Sequence, residues 1–426
     1  MLKLSLTSFI FAITIYVSAQ APFSCYYGNL HSHTDYSGGV GVPIQAFNYA
    51  QNTAHIDVLA VTDHLESIYY SSFEWDSLKI SANLATTNGV FVGMPGFEWT
   101  SPTINHVNVF NTTGMTSPLN VNNWDAFLLD LLSQPNAIAQ FNHPGLIGSN
   151  NWNSFTYKNA ETDSVFRLIE VKKLSDDPYY QMALNNGWHV SPTNNQDNHD
   201  WDWGTLDDKR TGIYAGSLTY SDIIESLLAR RTFSTEDKNA SVWMEFNGHA
   251  MGRFAETDAS SAIRIKLNDT DAETWNKVDV VGSNSTLVYT HSFSTSLVDT
   301  TIYLNTAGLN WVFIRAKQTD GDYLWSAPVF LSPSSSVENL NKENNQVNIF
   351  PNPAQNFISV QLKNDNSPEI YFQLRDITGK TVLSQKFINN EFQLNISGIE
   401  AGIYFIFIET RKNKYNSTLM NIKDHQ

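Results

Sequence analysis

Six of the eleven histidines fall in short clusters between residues 31 and 199, each beside a strand-like apolar run. His31 and His33 sit in Asn29-Leu30-His31-Ser32-His33-Thr34, and His64 closes Val61-Thr62-Asp63-His64. Glu98 ends Pro95-Gly96-Phe97-Glu98, His106 opens the next run, and His143 lies in Phe141-Asn142-His143-Pro144-Gly145. Asp197 and His199 form Gln196-Asp197-Asn198-His199. An i, i+2 pair such as His31/His33 puts both side chains on one face of an extended segment. If the runs are strands of a barrel, their ends converge at one mouth and bring these residues into one pocket. Such a polar set is costly to bury uncompensated. A divalent cation removes that cost, because neutral imidazole and carboxylate are its N/O ligands. His31, His33, His64, Glu98, His106, His143, Asp197 and His199 suit two or more ions, and a carboxylate such as Glu98 can bridge two. Lone histidines are more often packed or exposed than ligating, and His55, His189, His249, His291 and His425 are read that way.

The chemistry that follows is hydrolysis. A bound cation lowers the pKa of its water toward neutrality and yields a metal-bound hydroxide without a side-chain base. The same ions stabilise charge developing on the substrate oxygen. Glu98 and Asp197 are the candidate catalytic carboxylates. Asp63 either orients an imidazole from behind or is a turn carboxylate at a strand end. Arg210, with Lys209, is the nearest basic candidate for holding an anionic group, set against a solvated charge cluster with Asp207 and Asp208. Trp201, in Asp200-Trp201-Asp202-Trp203-Gly204, either walls a substrate pocket or packs under its rim. No Gly-X-Ser-X-Gly elbow and no phosphate loop followed by Lys-Ser/Thr occurs.

The elements that must position these residues alternate. Tyr26–Leu30, Val58–Thr62, Val92–Glu98, His106–Phe110, Ala137–Phe141, Leu168–Val171 and His189–Pro192 read as strands, with helical patterns at Pro43–Ala54, Trp124–Leu132, Pro178–Asn185 and Ser221–Arg231. That alternation argues an α/β architecture with mostly parallel pairing over residues 20–237. From 238 to 331 only short strands with turn residues remain, the signature of a β-sandwich. Residues 332–346 are polar and low in complexity, a linker, and 347–426 form a small all-β unit. Residues 1–19 carry Lys3, an apolar run from Leu4 to Val17 and small residues at Val17-Ser18-Ala19, a signal peptide pattern. That run is short of a membrane span, so no transmembrane anchor is expected. The chain has 26 Lys+Arg against 42 Asp+Glu, a net charge of −16, which disfavours nucleic-acid partners. Its one cysteine, Cys25, excludes a disulfide framework and a thiolate cluster.

Taken together, Leu30-His31-Ser32-His33-Thr34, Thr62-Asp63-His64, Gly96-Phe97-Glu98, His106, His143-Pro144 and Asp197-Asn198-His199 resemble the polymerase-and-histidinol-phosphatase (PHP) domain over residues 26–235. The resemblance implies a distorted (β/α)7 barrel with two or three divalent ions (Zn, Mn or Fe) at its mouth, and phosphoester hydrolysis. It implies one ion on His31, His33, Glu98 and Asp197, a second on Glu98, His106 and His143, and a third involving His64 and His199. The family usually has an acidic residue or His just after the serine of its first motif; here Ser37 is followed by Gly38-Gly39, so the third site is weak, absent or completed by another residue such as Asp63. The trailing sandwich, with Arg210-Thr211-Gly212, Arg230-Arg231-Thr232-Phe233 and Trp325-Ser326-Ala327-Pro328-Val329, is similar to a secreted branch that includes carbaryl hydrolase relatives. That branch implies an alternative: hydrolysis of carboxylic esters, amides or carbamates on the same ions. A third reading is a degenerate barrel that only binds. Asn348-Ile349-Phe350-Pro351-Asn352-Pro353, Thr378-Gly379-Lys380 and Ala401-Gly402-Ile403-Tyr404 resemble the C-terminal sorting domain of type IX secretion substrates. This implies the type IX machinery as a partner and a secreted or cell-surface product acting on a small-molecule ester.

Overall fold

The computed structural model describes residues 23–69, 72–117, 123–257, 259–333, 347–363, 367–376, 378–411 and 414–421. Residues 1–19, expected to be a signal peptide, and all but the first two residues of the expected linker 332–346 lie outside them. The chain divides into two compact units between Ser334 and Ser335.

In the first unit, nine strands run β1 (Ser24–Asn29), β2 (Val58–Val61), β3 (Val92–Trp99), β4 (Val107–Phe110), β5 (Ile138–Phe141), β6 (Phe166–Glu170), β7 (Ser191–Thr193), β8 (Arg210–Ala215) and β9 (Thr232–Thr235). Their order in the sheet is β9-β8-β1-β2-β3-β4-β5-β6-β7. β1, β2 and β3 pair in parallel, as do β5, β6 and β7. β4 lies antiparallel between β3 and β5, and β8 and β9 add antiparallel to β1. This corrects the expectation of a parallel β/α repeat. No helix separates β3 from β4, which antiparallel neighbours do not require. Nor does a ladder join β7 to β8 or β9. The sheet curls instead until its ends meet through side chains. Thr232 Oγ1 donates to Pro192 O (2.9 Å) and lies 2.7 Å from Ser191 Oγ, and Asn194 N donates to Thr211 Oγ1 (2.9 Å). These residues thus form a curled mixed sheet whose seam at β7 is made by side chains rather than by a ladder. Gly212 in β8 is obligatory: a Cβ there would sit 1.9 Å from the Phe233 ring.

Period-two alternation assigns the faces. Val58, Ala60, Val92, Met94, Ile138, Leu168 and Ile213 share one buried cluster with Ile223, Ile224 and Leu227 of helix Tyr220–Leu228. That helix starts at Thr219, whose Oγ1 accepts from Asp222 N. The alternate residues Leu59, Val61, Phe97, Val109, Ala139 and Ile169 pack in a second cluster with helices Pro43–Tyr49, Ser72–Ala85, Trp124–Leu132 and Asp177–Asn185.

The same sheet continues past β9. Strand Tyr323–Ser326 pairs antiparallel with β9 and leads to Trp311–Gln318 and Trp275–Gly282. Four strands, His249–Ala250, Ser241–Phe246, Ser261–Asn268 and Val298–Leu304, form a separate sheet. Val242, Met244, Ile263, Ile265, Val278, Val280 and Ile314 make the core between the two. The sandwich is thus an extension of the first sheet.

The second unit has an antiparallel sheet of Val347–Phe350, Phe357–Leu362 and Glu391–Asn395, and another of Thr381–Phe387, Ile370–Arg375, Gly402–Thr410 and Lys414–Asn421. Ile358, Val360, Phe372, Leu374, Leu394, Ile406 and Ile408 are its buried core. Among the described residues no helix is long and apolar enough to cross a membrane.

Candidate metal centre

The segments leaving the strands are laced by single backbone hydrogen bonds. Asp197 N donates to His31 O (2.9 Å), His33 N to Asn198 O (2.9 Å), Thr62 N to Ser32 O (2.8 Å), Glu98 N to Asp63 O (3.1 Å) and Asn142 N to His106 O (3.2 Å). These ties hold the segments at and beyond the strand ends to one another, so the histidine motifs lie side by side.

All eight expected ligand residues come together. His31 Nε2 and His33 Nε2 are 3.2 Å apart. Asp197 Oδ1 lies 3.3 and 3.2 Å from them, and Glu98 oxygens lie 3.3 and 3.5 Å away. Glu98 Oε1 also reaches His106 Nδ1 (3.2 Å) and His143 Nε2 (3.4 Å), and Glu98 Oε2 reaches His64 Nδ1 (2.9 Å). The ligand atoms of His33, His64 and His199 lie within 4.8 Å of one another. His31, His33 and Glu98 are buried, whereas the His199 side chain is 43% exposed, so the cluster runs from the interior to solvent.

The donor set fits divalent ions. His31 Nδ1 donates to Glu170 Oε1 (3.0 Å). His33 Nδ1 donates to Ser37 Oγ (3.1 Å), whose hydroxyl is committed to Asp63 Oδ1 (2.5 Å). Both Nε2 atoms therefore carry lone pairs, and these face each other and two carboxylates. A shared cation makes that favourable in a buried site; with none bound, and although burial opposes it, Asp197, Glu98 and Glu170 raise the His31 pKa well above its ordinary value, so that a proton takes the cation's place. The spacing agrees: a tetrahedral ion with ligands at about 2.0–2.1 Å has ligand–ligand edges of about 3.3 Å. Although burial opposes it, His31 and the hydrogen-bonding imidazoles of His106 and His143 hold the Glu98 carboxyl well below its usual range.

Asp63 proves to be a support. It accepts from Thr34 N (2.7 Å), Thr34 Oγ1 (2.7 Å) and Ser37 Oγ, and so acts on His33 through Ser37. It adds no ligand to the His33-His64-His199 group.

Glu170 was not singled out from sequence and is central. It ends β6, is fully buried, and accepts from His31 Nδ1, His143 N (2.7 Å) and Asn195 Nδ2 (3.0 Å). Burial works against its ionisation, but Lys172 and His31 bring its carboxyl down to about 2. Lys172 Nζ lies 3.6 Å from Glu170 Oε2. Burial would discharge Lys172, yet Glu170, Asp197 and Glu98 push its pKa up and keep it charged. The available signal was parity: Leu168, Glu170 and Lys172 alternate on one face as Met94, Gly96 and Glu98 do.

Behind the ligands lies a buried amide network. Asn142 Nδ2 donates to Glu98 Oε1 (2.8 Å) and Asn108 Oδ1 (2.9 Å), and Gln140 Nε2 donates to Asn142 Oδ1 (3.0 Å). Trp203, fully buried, donates its indole N–H to His33 O (2.9 Å). Backbone strain gathers here as well. His143 (φ 30°), Asp197 (φ 56°) and Asn105 (φ 127°) have positive φ, and Asn151–Phe155 form a left-handed turn of five non-glycine residues. At about 1–2 kcal/mol per residue, that turn persists through burial of Trp152 and Phe155 and through Asn151 Oδ1, which accepts from Gly145 N (2.7 Å) and Asn105 Nδ2 (3.1 Å). It thereby clamps the loops carrying His106 and His143.

The two expected substrate contacts are engaged by their own surroundings. Arg210 is buried and donates to the carbonyls of Gly204 (2.8 Å), Asp207 (2.9 Å) and Lys209 (2.6 Å), so its guanidinium is occupied in holding a loop. Trp201 is half exposed and leans on Trp203 and Gly41, where a Cβ would come within 2.7 Å of the indole. The groove beside the ligands, about 450 Å³, is lined by His143, Leu146, Lys172, Lys173, Tyr179 and Lys209 among others.

Residues 348–423 match the family model described as the secretion system C-terminal sorting domain. The second unit thus carries a type IX secretion address, implying the cell surface or the medium. Among curated proteins, an endo-acting ulvan lyase of Formosa agariphila is 29% identical over 118 residues, 26% of this chain and 21% of that protein. The chain thus spans about a fifth of that relative's length. Among solved structures, a two-domain protein of Bacteroides vulgatus containing a predicted PHP-like metal-dependent phosphoesterase is 15% identical. The match covers 73% of this chain and 95% of that one at a TM-score of 0.42. Fibronectin(III)-like modules of Clostridium thermocellum CbhA are 13% identical over 43% of this chain and 97% of theirs, at a TM-score of 0.18.

Proposed function

We propose that the chain is a secreted, metal-dependent phosphoesterase acting on small organic phosphate esters. The observation that carries this reading is the juxtaposition of the His/Glu/Asp cluster with a groove holding three lysines, in a chain of net charge −16. Divalent ions held by His31, His33, Glu98 and Asp197, and by Glu98, His106 and His143, would supply an activated water and positive charge for the leaving oxygen. Glu170 and the Ser37-Asp63 pair keep His31 and His33 in the tautomers that present Nε2. Lys172, held charged against Glu170, lines the groove beside His143 and would pair with a phosphate oxygen. Lys173 and Lys209 add cationic charge there. Leu146, with fully exposed Ile147 next to it, offers an apolar shoulder for the organic part of the ester. Asp176 shares this lining, and Lys209 is paired with Asp207 (3.3 Å), so Lys172 and Lys173 carry the preference for an anionic ester.

The test is p-nitrophenol release by the full chain, loaded with Mn²⁺ or Zn²⁺ or treated with chelator, from a phosphate monoester, a phosphodiester, an acetate and a carbamate. Metal-dependent turnover of the phosphoesters is expected. Turnover of the acetate or carbamate alone would replace this reading with the carboxylic ester, amide or carbamate hydrolase, and silence on all four would favour a binding role.

A further inference from the structure

We propose a second cation site, for calcium, in the sandwich, built by Asp237, Asp269, Glu273 and Gln318. The three carboxylates come from two segments: Asp237 just past β9, and Asp269 and Glu273 in the loop between strands Ser261–Asn268 and Trp275–Gly282. One oxygen of each lies within 4.8 Å of the others. Two of them are pre-set by the backbone. Asp237 Oδ1 accepts from Asn239 N (2.7 Å) and Ala240 N (3.3 Å), and Asp269 Oδ1 accepts from Asp271 N (2.7 Å) and Glu273 N (3.3 Å). Their second oxygens are left to converge with Glu273 Oε2 on one point.

That point is faced by Gln318, the last residue of strand Trp311–Gln318, whose side chain is fully buried. Its Nε2 contacts Asp237 Oδ2 (3.2 Å), Glu273 Oε2 (3.2 Å) and Asp269 Oδ2, while its Oε1 is buried with no hydrogen-bond partner. An amide nitrogen has two hydrogens and no charge. It can neither serve three carboxylates nor offset them. Oxygen and nitrogen of an amide are told apart only by their surroundings. Turned over, Gln318 directs its oxygen at the carboxylates and supplies a fourth ligand to a cation between them. Four oxygens from three carboxylates and an amide, with no histidine among them, are the donor chemistry of calcium rather than of the transition metals at the histidine cluster. An ion here would pin β9's exit to three strands of the sandwich and stabilise the unit that holds the metal centre.

The test is equilibrium dialysis with radioactive Ca²⁺, and thermal unfolding with and without millimolar Ca²⁺, on the full zinc-loaded chain and on Asp269→Asn, Glu273→Gln and Glu98→Gln. The wild type is expected to bind one Ca²⁺ and gain roughly 5 °C. Asp269→Asn should lose both responses while melting cooperatively without calcium, since it relieves repulsion. Glu273→Gln should weaken binding about tenfold or more, and serves alone if Asp269→Asn does not fold. Glu98→Gln should keep the calcium response. Absence of binding to the wild type, binding that survives in the carboxylate variants, or binding lost in Glu98→Gln instead would overturn the site.

Discussion

At the closed end of the curled sheet the inward residues are Val58, Val92, Ile138 and Leu168, packed with helix Tyr220–Leu228. At the open end the same strands turn in Glu98, Gln140 and Glu170, all buried and all hydrogen-bonded. Each strand thus divides its inward face, apolar where it enters and ligating where it leaves. β4 runs the other way and keeps the division by reversing its order: His106 and Asn108 come first and Phe110 last. The contrast teaches that cohesion and chemistry are separated along the strands, so the two ends should respond differently to substitution.

Glu98→Gln strikes the open end hardest. Glu98 contacts His31, His33, His64, His106 and His143. Supporting residues behind metal ligands already cost about 10–100-fold, so loss of this shared ligand should cost well over about 100-fold in kcat/KM, with metal content falling and the melting temperature little changed. Steady-state kinetics and elemental analysis check both parts. Leu168→Ala is the matching change at the closed end. It should cost about 2–5 kcal/mol of stability in denaturant unfolding, with kcat per folded molecule intact. Equal loss of activity there would break the division.

Glu170→Gln sharpens it further, since Glu170 belongs to the open end without ligating. Metal affinity should fall about 10–100-fold, read by competition with a chromophoric chelator. Asp163 lies at neither end, on helix Ala160–Val165, where it bonds His189 N (2.9 Å) and His189 Nδ1 (2.5 Å). Burial opposes its ionisation, but these bonds hold its pKa below the ordinary value. A depressed carboxyl stabilises the fold above its unfolded pKa near 4 and loses that contribution as pH falls through the folded value. Asp163→Asn should therefore flatten the acid limb of stability below about pH 4, without touching turnover at neutral pH.

The ligand motifs were legible because each pairs a rare residue type with the end of an apolar run. The sandwich strands were legible because their alternation is clean, as in Ser261–Asn268. Helix Ser72–Ala85 was not, because its apolar residues point both ways: Trp75 and Leu78 are buried, whereas Phe73, Ile80 and Leu84 are exposed. β8 hid behind Arg210, set in a charge cluster with Asp207, Asp208 and Lys209, and β9 behind the helical pattern Ser221–Arg231 that runs up to its first residue. Nor does local pattern encode how a sheet closes, since the seam at β7 depends on Ser191, Thr211 and Thr232 meeting across long separations.

The measurement that tests the central claim most directly is an anomalous difference map of metal-loaded crystals, recorded above and below the absorption edge of the added Zn²⁺ or Mn²⁺. Peaks are expected between His31, His33, Glu98 and Asp197, and between Glu98, His106 and His143. Their absence at full loading, with His31 Nε2 and His33 Nε2 bridged by a proton or a water instead, would contradict the account.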